Sequence, residues 1–444
     1  MVIVSILLLA SSGARAGNPE MAEYTDDPDR VFWFIQISDT HLDNFLYGAE
    51  VEQTELALGE VVDVIQPFLV VNTGDLTDHT DGINYLGPPN IGEWMLYRGI
   101  TDDAGMGADI YLDLPGNHDF YGDDGTFYVT YSVQGEATGS TQPHLALELP
   151  WGKYHFVTGA TPHNDSPPTP WPFDNKAFST AELAEVEANL LAHTDARLTL
   201  AFGHHDFEGC ALGGDFRQHL IDYGAGHYGH GHEHSMGMRE GSGILRFQCN
   251  SLGQGPDDNI CLWAVDSDAV SWGVTHASAP WPAAVITAPV DARLGTDDSV
   301  LNPYAPAVPG GCTAAPVRVL AFDVAGVSEV LFQIDGGSLE TMTENPSTPD
   351  QWLGTFDATG LTVGIHVLEV QVSGSEWRRY SAQILVEDAP CDLDPPPVEE
   401  DSEPVAEIEP DAEIDMEEDA TPDAEDEPGD SDLSGGVCGC VLAG

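Results

Sequence analysis

Basic residues are scarce in this 444-residue chain: 13 Lys and Arg stand against 75 Asp and Glu, for a formal net charge of −62. Lysine occurs only as Lys153 and Lys176. A surface of that sign repels phosphate backbones, so extended nucleic acid is not expected as a partner. A small anionic substrate stays open, because bound cations reverse the field inside a pocket. Long apolar runs are missing as well. The stretch Val2 to Ala10 is too short to span a bilayer. With Ala14-Arg15-Ala16 behind it, it reads as an export signal over residues 1–16, although no Lys or Arg precedes it. No cysteine follows it, which argues against N-terminal lipidation. None of the 7 cysteines has the spacing of a zinc thiolate site. In an exported chain some should pair, and Cys249 with Cys261 and Cys312 with Cys391 suit by position.

The length suits two domains plus tails. Over residues 30–277 short apolar runs alternate with helical patterns. Val31 to Ile37, Phe68 to Asn72, Ile110 to Leu114 and Leu198 to Phe202 read as buried strands. Val51 to Ile65 and Ala181 to Leu191 read as helices, the second behind Ser179-x-x-Glu182, which has the form of a capping box. This alternation predicts a layered α/β core. Residues 283–387 change texture to alternating β-type runs and predict a small β-sandwich of immunoglobulin type. Residues 388–432 are rich in Pro, Glu and Asp; between Cys391 and Asp432 lie 20 acidic residues and no basic one. Such a stretch buries too little to offset its ordering entropy, and a disordered acidic stalk is expected. Residues 433–444 form a separate Cys-Gly-Cys segment.

The polar residues of interest come as five short motifs, most of them directly after a strand. They are Asp39-Thr40-His41, Gly74-Asp75-Leu76-Thr77-Asp78, Gly116-Asn117-His118-Asp119, Gly203-His204-His205 and Gly229-His230-Gly231-His232. Any one alone is a turn or an interior histidine as readily as a site. Together they supply only oxygen and imidazole donors, the set for divalent metals. Hydrolysis of a phosphate ester needs a hydroxide at neutral pH and a counter-charge for the phosphoryl oxygens. Two divalent cations about 3.5–4 Å apart supply both.

On these motifs, in this order, the chain resembles the calcineurin-like metallophosphoesterase superfamily over about Val31 to His276. FIQISDTHL, LVVNTGDLTD and the later region entered through WPAAVITAP are similar to the group named after transmembrane protein sixty-two, which places a β-sandwich after the phosphoesterase domain. The resemblance implies a four-layer αββα metallophosphoesterase sandwich, followed here by the immunoglobulin-like β-sandwich and the disordered acidic tail. It implies two divalent ions (Mn, Fe or Zn), with Asp39, His41 and His232 on the first, Asp75 bridging, and Asn117, His204 and His230 on the second. His118 would sit near the leaving group as proton donor or as stabiliser of the phosphoryl oxygens. Asp78 would orient His118 and keep it protonated, and a bridging hydroxide would attack phosphorus in line.

Several neighbours qualify that picture. His204 and His205 should point to opposite sides of a strand end, leaving the first as the ligand. His79, His234 and Asp119 read as supporting or solvated residues, and His163 as part of a surface loop. His79 stands where many family members carry an arginine, so an arginine clamp on a terminal phosphate is in doubt. Asp78 stands where a purple acid phosphatase would need tyrosine, which sets that subgroup aside. Cys438-Gly439-Cys440 is similar to sorting tags of myxobacterial type but lacks the apolar helix and arginine cluster that continue them. Cell-surface attachment and an incidental end both stay open. The function expected is an exported dinuclear-metal phosphoesterase acting on small phosphate esters, diesters slightly favoured. The rivals are a surface scaffold or adhesion protein with an idle first domain, and an exported nucleotidase or nuclease.

Overall fold

The computed structural model describes residues 22–43, 48–78, 90–122, 125–162, 176–254, 257–294 and 297–394. The segment expected to direct export, His79, His163, the acidic stretch beyond residue 394 and the Cys-Gly-Cys end lie outside the described residues.

The first strand, β1 (Val31–Ile37), sets the layering. Its residues are buried on both faces, as a strand covered on both sides requires. Val31, Ile35 and Ile37 face one apolar cluster, with Trp33 packed against it, while Phe32 and Phe34 face another. Parallel to it run β2 (Val70–Asn72) and β3 (Tyr111–Asp113). On its other side are antiparallel β10 (Asn259–Asp266) and β11 (Ala269–His276), giving the order β11-β10-β1-β2-β3. The second sheet has the order β4-β5-β6-β7-β9-β8. Its strands are β4 (His144–Leu149), β5 (Gly152–Gly159), β6 (Leu198–Gly203), β7 (His227–His230), β8 (Gly237–Gly241) and β9 (Ile244–Gln248).

Aromatic side chains fill the space between the sheets: Phe34 stacks on Trp263 at 5.4 Å and meets Phe156 edge-on. One buried polar link crosses this layer. Gln36 accepts from Trp263 Nε1 (3.1 Å) and donates to the carbonyl of His230 (3.1 Å), so its buried amide has partners to replace water. Outside the first sheet lies the helical run α1 (Ala49–Leu56) and α2 (Val62–Ile65), joined by a π-helical turn, with α3 (Ile91–Asp103) beside it. Beyond the second sheet Leu183, Val186 and Leu190, from the helix Thr180–Ala192, pack with Phe216 and Leu220 from the helix Gly213–Asp222. Four layers result, α/β/β/α, as expected. The capping box is present: Ser179 Oγ accepts from Glu182 N and Glu182 Oε2 from Ser179 N.

The chain then forms a β-sandwich of a four-stranded and a five-stranded sheet over one shared core, from Ala283–Ala288 to Trp377–Glu387. Leu320 and Phe322 of this part belong to the same apolar cluster as Ile35 and Trp94 of the first. At the junction Arg318 clasps Asp266 through Nε (2.8 Å) and Nη2 (3.0 Å) and donates from Nη1 to Thr25 O. Both residues of this pair are almost completely buried. Disulfides join Cys249 to Cys261 and Cys312 to Cys391, the pairs expected by position. No helix among the described residues is long and apolar enough to cross a membrane.

Removing one partner of a buried pair strands the other charge, so Arg318→Leu should lower stability by about 3–5 kcal/mol, and Asp266→Leu added to it should restore most of the loss. Urea unfolding midpoints of the two variants test this. His155 makes a second prediction. It is fully buried, stacked 4.1 Å from His193, and its two ring nitrogens have no partner. Burial, with His193, His144 and Lys153 adding, pushes its pKa down to about 3. The unfolded chain binds this proton near pH 6.5 and the fold does not. The stability is therefore whole above pH 6.5 and falls towards pH 3, at up to about 1.4 kcal/mol per pH unit. His155→Phe should remove one proton's worth of that slope in denaturation measured between pH 7 and 4.

Candidate metal centre

The site forms where the C-terminal ends of β1, β2, β3, β6 and β7 meet. Hydrogen bonding between β1 and β2 continues beyond both strands: Asp39 N donates to Gly74 O (2.9 Å), His41 N to Asp75 O (2.9 Å) and Leu42 N to Leu76 O (3.2 Å). The D-x-H and G-D-x-x-D loops are thus zipped in register. Asp119 ties the third motif to them, its carboxylate accepting from the amides of Leu76, Thr77 and Gly116. Gly116 is required there, since a Cβ would lie 2.1 Å from Asp75 Oδ1. From behind, Gly253 N and Ser251 Oγ donate to Asp39 O, and a Cβ on Gly253 would meet Thr40 O at 2.0 Å. Asp39, His41, Asp75, His232 and His234 all have positive φ, between 44° and 73°. Left-handed backbone at five converging side chains is strain of the kind that surrounding structure holds at functional sites.

The side chains gather into two overlapping sets. Asp39 Oδ1 lies 3.3 Å from His234 Nε2 and 3.8 Å from His41 Nε2, and the two histidine Nε2 atoms are 3.1 Å apart. On the other side His204 Nε2 lies 3.1 Å from Asp75 Oδ2, 3.1 Å from Asn117 Oδ1 and 3.2 Å from His232 Nδ1. Asp75 lies between the sets, 3.6 Å from His41 Nε2, and its Oδ1 accepts from His118 N. Asn117 Nδ2 donates to the Tyr121 hydroxyl (2.6 Å), which fixes its carbonyl oxygen towards His204. A cleft of about 420 Å³ opens above, lined by His41, Asp75, Asn117, His118, Tyr121, His232, His234 and Gln254.

Electrostatically the centre is a carboxylate pair wrapped in imidazoles. Burial would drive His41 neutral, but Asp39, Asp78 and Asp75 outweigh it and hold the ring up at about 10. His204 is held at about 9 against burial, by Asp75 and Asp39. Asp39 and Asp75 stay well below the usual carboxylate range, the surrounding histidines outweighing burial. For the other rings burial outweighs the nearby carboxylates: His232 falls to about 3 and His230 to about 4, and His118 lies below its ordinary value. Asp119 rises to about 7 through burial and the charge of Asp75.

Four expectations change. The structure brings His234, not His230, to the centre. His232 lies with His204 and Asn117 instead of with Asp39 and His41. His230 ends β7, where its Nδ1 lies 3.2 Å from Gly231 O, its ring stacks at 5.7 Å on Tyr228, and Asp206 and Arg246 dominate its surroundings. The G-H-x-H pattern occurs twice, as Gly229–His232 and as Gly231-His232-Glu233-His234, and the strand end selects the second frame. Asp78 also acts differently. Its carboxylate bonds His41 Nδ1 (3.1 Å) and accepts from Gln254 Nε2 (2.8 Å), while its backbone carbonyl takes His118 Nδ1 (2.7 Å); the carboxylate is 3.7 Å from that ring, which burial pushes away from protonation. Finally, His204 and His205 do not diverge: β6 ends at Gly203, and their rings lie 4.7 Å apart. Gln254 and Tyr121 carried no signal in the sequence, because neither belongs to a motif.

The donor set fits divalent cations. Asp39 Oδ1 is buried without a hydrogen-bond partner, and imidazole nitrogens face one another at 3.1–3.2 Å with carboxylate and amide oxygens beside them. Each cluster offers atoms within 4.8 Å of one another, namely Asp39, His41 and His234, and Asp39, Asp75 and His204.

The family described as calcineurin-like phosphoesterase matches residues 32–236. Transmembrane protein 62 of Mus musculus is 27% identical over 393 residues, covering 83% of this chain and 57% of that protein. An Arabidopsis thaliana protein named as a metallophosphoesterase is 26% identical over 145 residues, 31% of this chain and 19% of its own length. The chain thus spans less than two thirds of either relative. Among solved structures, GAP50, the anchor in the inner membrane complex of Plasmodium, aligns over 56% of this chain and 86% of its own, at 11% identity and a TM-score of 0.39.

The geometry separates His230 from His234 experimentally. Elemental analysis of chain purified without chelators should find about one equivalent of metal fewer in His234→Ala, and no loss in His230→Ala; the reverse order would restore the first frame.

Proposed function

We propose, from the premise that residues 32–236 form a calcineurin-like metallophosphoesterase domain, that this chain is a metal-dependent hydrolase of small phosphate esters, with diesters favoured, acting outside the cytoplasm. One observation carries the reading: Asp39, His41, Asp75, Asn117, His204, His232 and His234 converge on one open cleft. None of the donors such a centre needs is missing, which favours an enzyme over an idle scaffold.

Asp39, His41 and His234 would hold one divalent ion and Asn117, His204 and His232 the other, with Asp75 shared. When bound, such ions supply a hydroxide at neutral pH and a counter-charge for the phosphoryl oxygens. The protein's own residues do the rest. Two carboxylates that hold His41 and His204 cationic attract positive charge, so a dication would displace those protons and bind more weakly as pH falls. His118 is fixed by its Nδ1–H donating to Asp78 O, which aims the other ring nitrogen at a substrate oxygen for proton transfer. Gln254 steadies Asp78, and through it His41.

No Lys or Arg lines the cleft among the described residues, which supports the preference for diesters: a terminal dianionic phosphate would lack the bidentate partner it favours. Two disulfides support an oxidising compartment, and hence export.

The test is turnover of bis-p-nitrophenyl phosphate against p-nitrophenyl phosphate by Mn-loaded chain. The diester should be hydrolysed faster. His118→Ala should lower kcat by about 10²–10⁴-fold with metal content unchanged. Metal-loaded chain that turns over neither ester would sink the reading.

A further inference from the structure

His205 belongs to the fourth motif, yet the proposed ligand set leaves it unused. It is completely buried, and its Nε2 has no hydrogen-bond partner. Burying an imidazole nitrogen unsatisfied costs about 1–3 kcal/mol, so its position calls for a partner. The rest of the residue is firmly held. Its backbone N donates to Thr161 Oγ1 (3.1 Å), and its Nδ1 lies 2.8 Å from the same oxygen. Its carbonyl accepts from the Tyr228 hydroxyl (2.6 Å). A threonine oxygen has two lone pairs and can accept both N–H groups. That leaves Nε2 with a lone pair and the ring pinned from its far side, the support that metal-bound imidazoles ordinarily receive. The ring lies 4.7 Å from His204 and 4.2 Å from His232. One nitrogen from each of the three lies within 4.8 Å of the others.

We propose that His205 is a further protein ligand of the second metal position, joining Asn117, His204 and His232 through Nε2. The proposal rests on the metallophosphoesterase reading and adds a nitrogen donor to it. Three imidazoles and one amide oxygen, with Asp75 shared, favour a borderline metal such as Zn or Co over Mn at that position. The two positions of this chain then differ in donor softness, and the second should fill first with Zn.

Chelator-stripped chain titrated with Zn²⁺ by calorimetry, and with Co²⁺ by visible absorption, tests this without an activity readout. His205→Phe fills the space without a donor; it should keep first-site binding and weaken the second site by about 10–100-fold, with a changed Co²⁺ spectrum. Thr161→Val keeps the ring but removes its pin, so it should weaken the same site by a smaller factor, which guards against a His205 variant that fails to fold. Unchanged stoichiometry, affinity and Co²⁺ spectrum in both variants would overturn the assignment and leave the dinuclear reading standing. A wild-type chain that binds no metal would overturn both.

Discussion

Everything at the centre depends on one constraint: the hydrogen-bond ladder between β1 and β2 does not stop where the strands stop. Asp39, His41 and Leu42 donate in turn to Gly74, Asp75 and Leu76, so two loops that would otherwise be independent share one backbone frame. The frame forces Asp39, His41 and Asp75 into left-handed backbone, which Asp and His tolerate better than β-branched residues would. It also explains the demand for glycine at 116 and 253, where the next loops press against it with no room for a Cβ. Metal affinity in the proposed centre would come from preorganisation. The donors already face one another, and little ordering would remain to be done on binding.

The same frame concentrates charge. The chain as a whole is strongly anionic, yet around Asp39 and Asp75 the carboxylates are matched by imidazoles held cationic. On the proposed reading, divalent cations would take the place of those protons. A surface that repels anions at long range would then surround a centre made positive, and an anionic substrate would gain its attraction only at close quarters.

Much of this was legible in the sequence because it is local. Each of the first three motifs closes a buried strand, and a strand end fixes where the next side chains go. The capping box at Ser179 and the helical pattern over Val51 to Ile65 left equally local traces, whereas the π-helical turn from Ala57 to Val61 within that helix left none. What was not legible depends on distant pairing. Two overlapping G-H-x-H frames are equivalent as text; only the pairing of β7 with β6 and β9, which ends the strand at His230, selects His232 and His234. The convergence of His204 with His205 depends on β6 ending at Gly203, one residue beyond the expected strand. Gln254 reaches Asp78 from a loop held by the far side of the fold, across 176 residues of chain. No periodicity could announce such a contact.

The buried clasp between Arg318 and Asp266, with Leu320 and Phe322 sharing a core with Ile35, makes the β-sandwich and the layered domain one continuous body. A hinge there would have to expose a charge pair and a shared apolar face together. On the proposed reading, discrimination among substrates would therefore fall to individual side chains lining the cleft, such as Tyr121, His118 and Gln254. The added sandwich serves as a fixed buttress behind the sheet rather than as a jaw over the cleft.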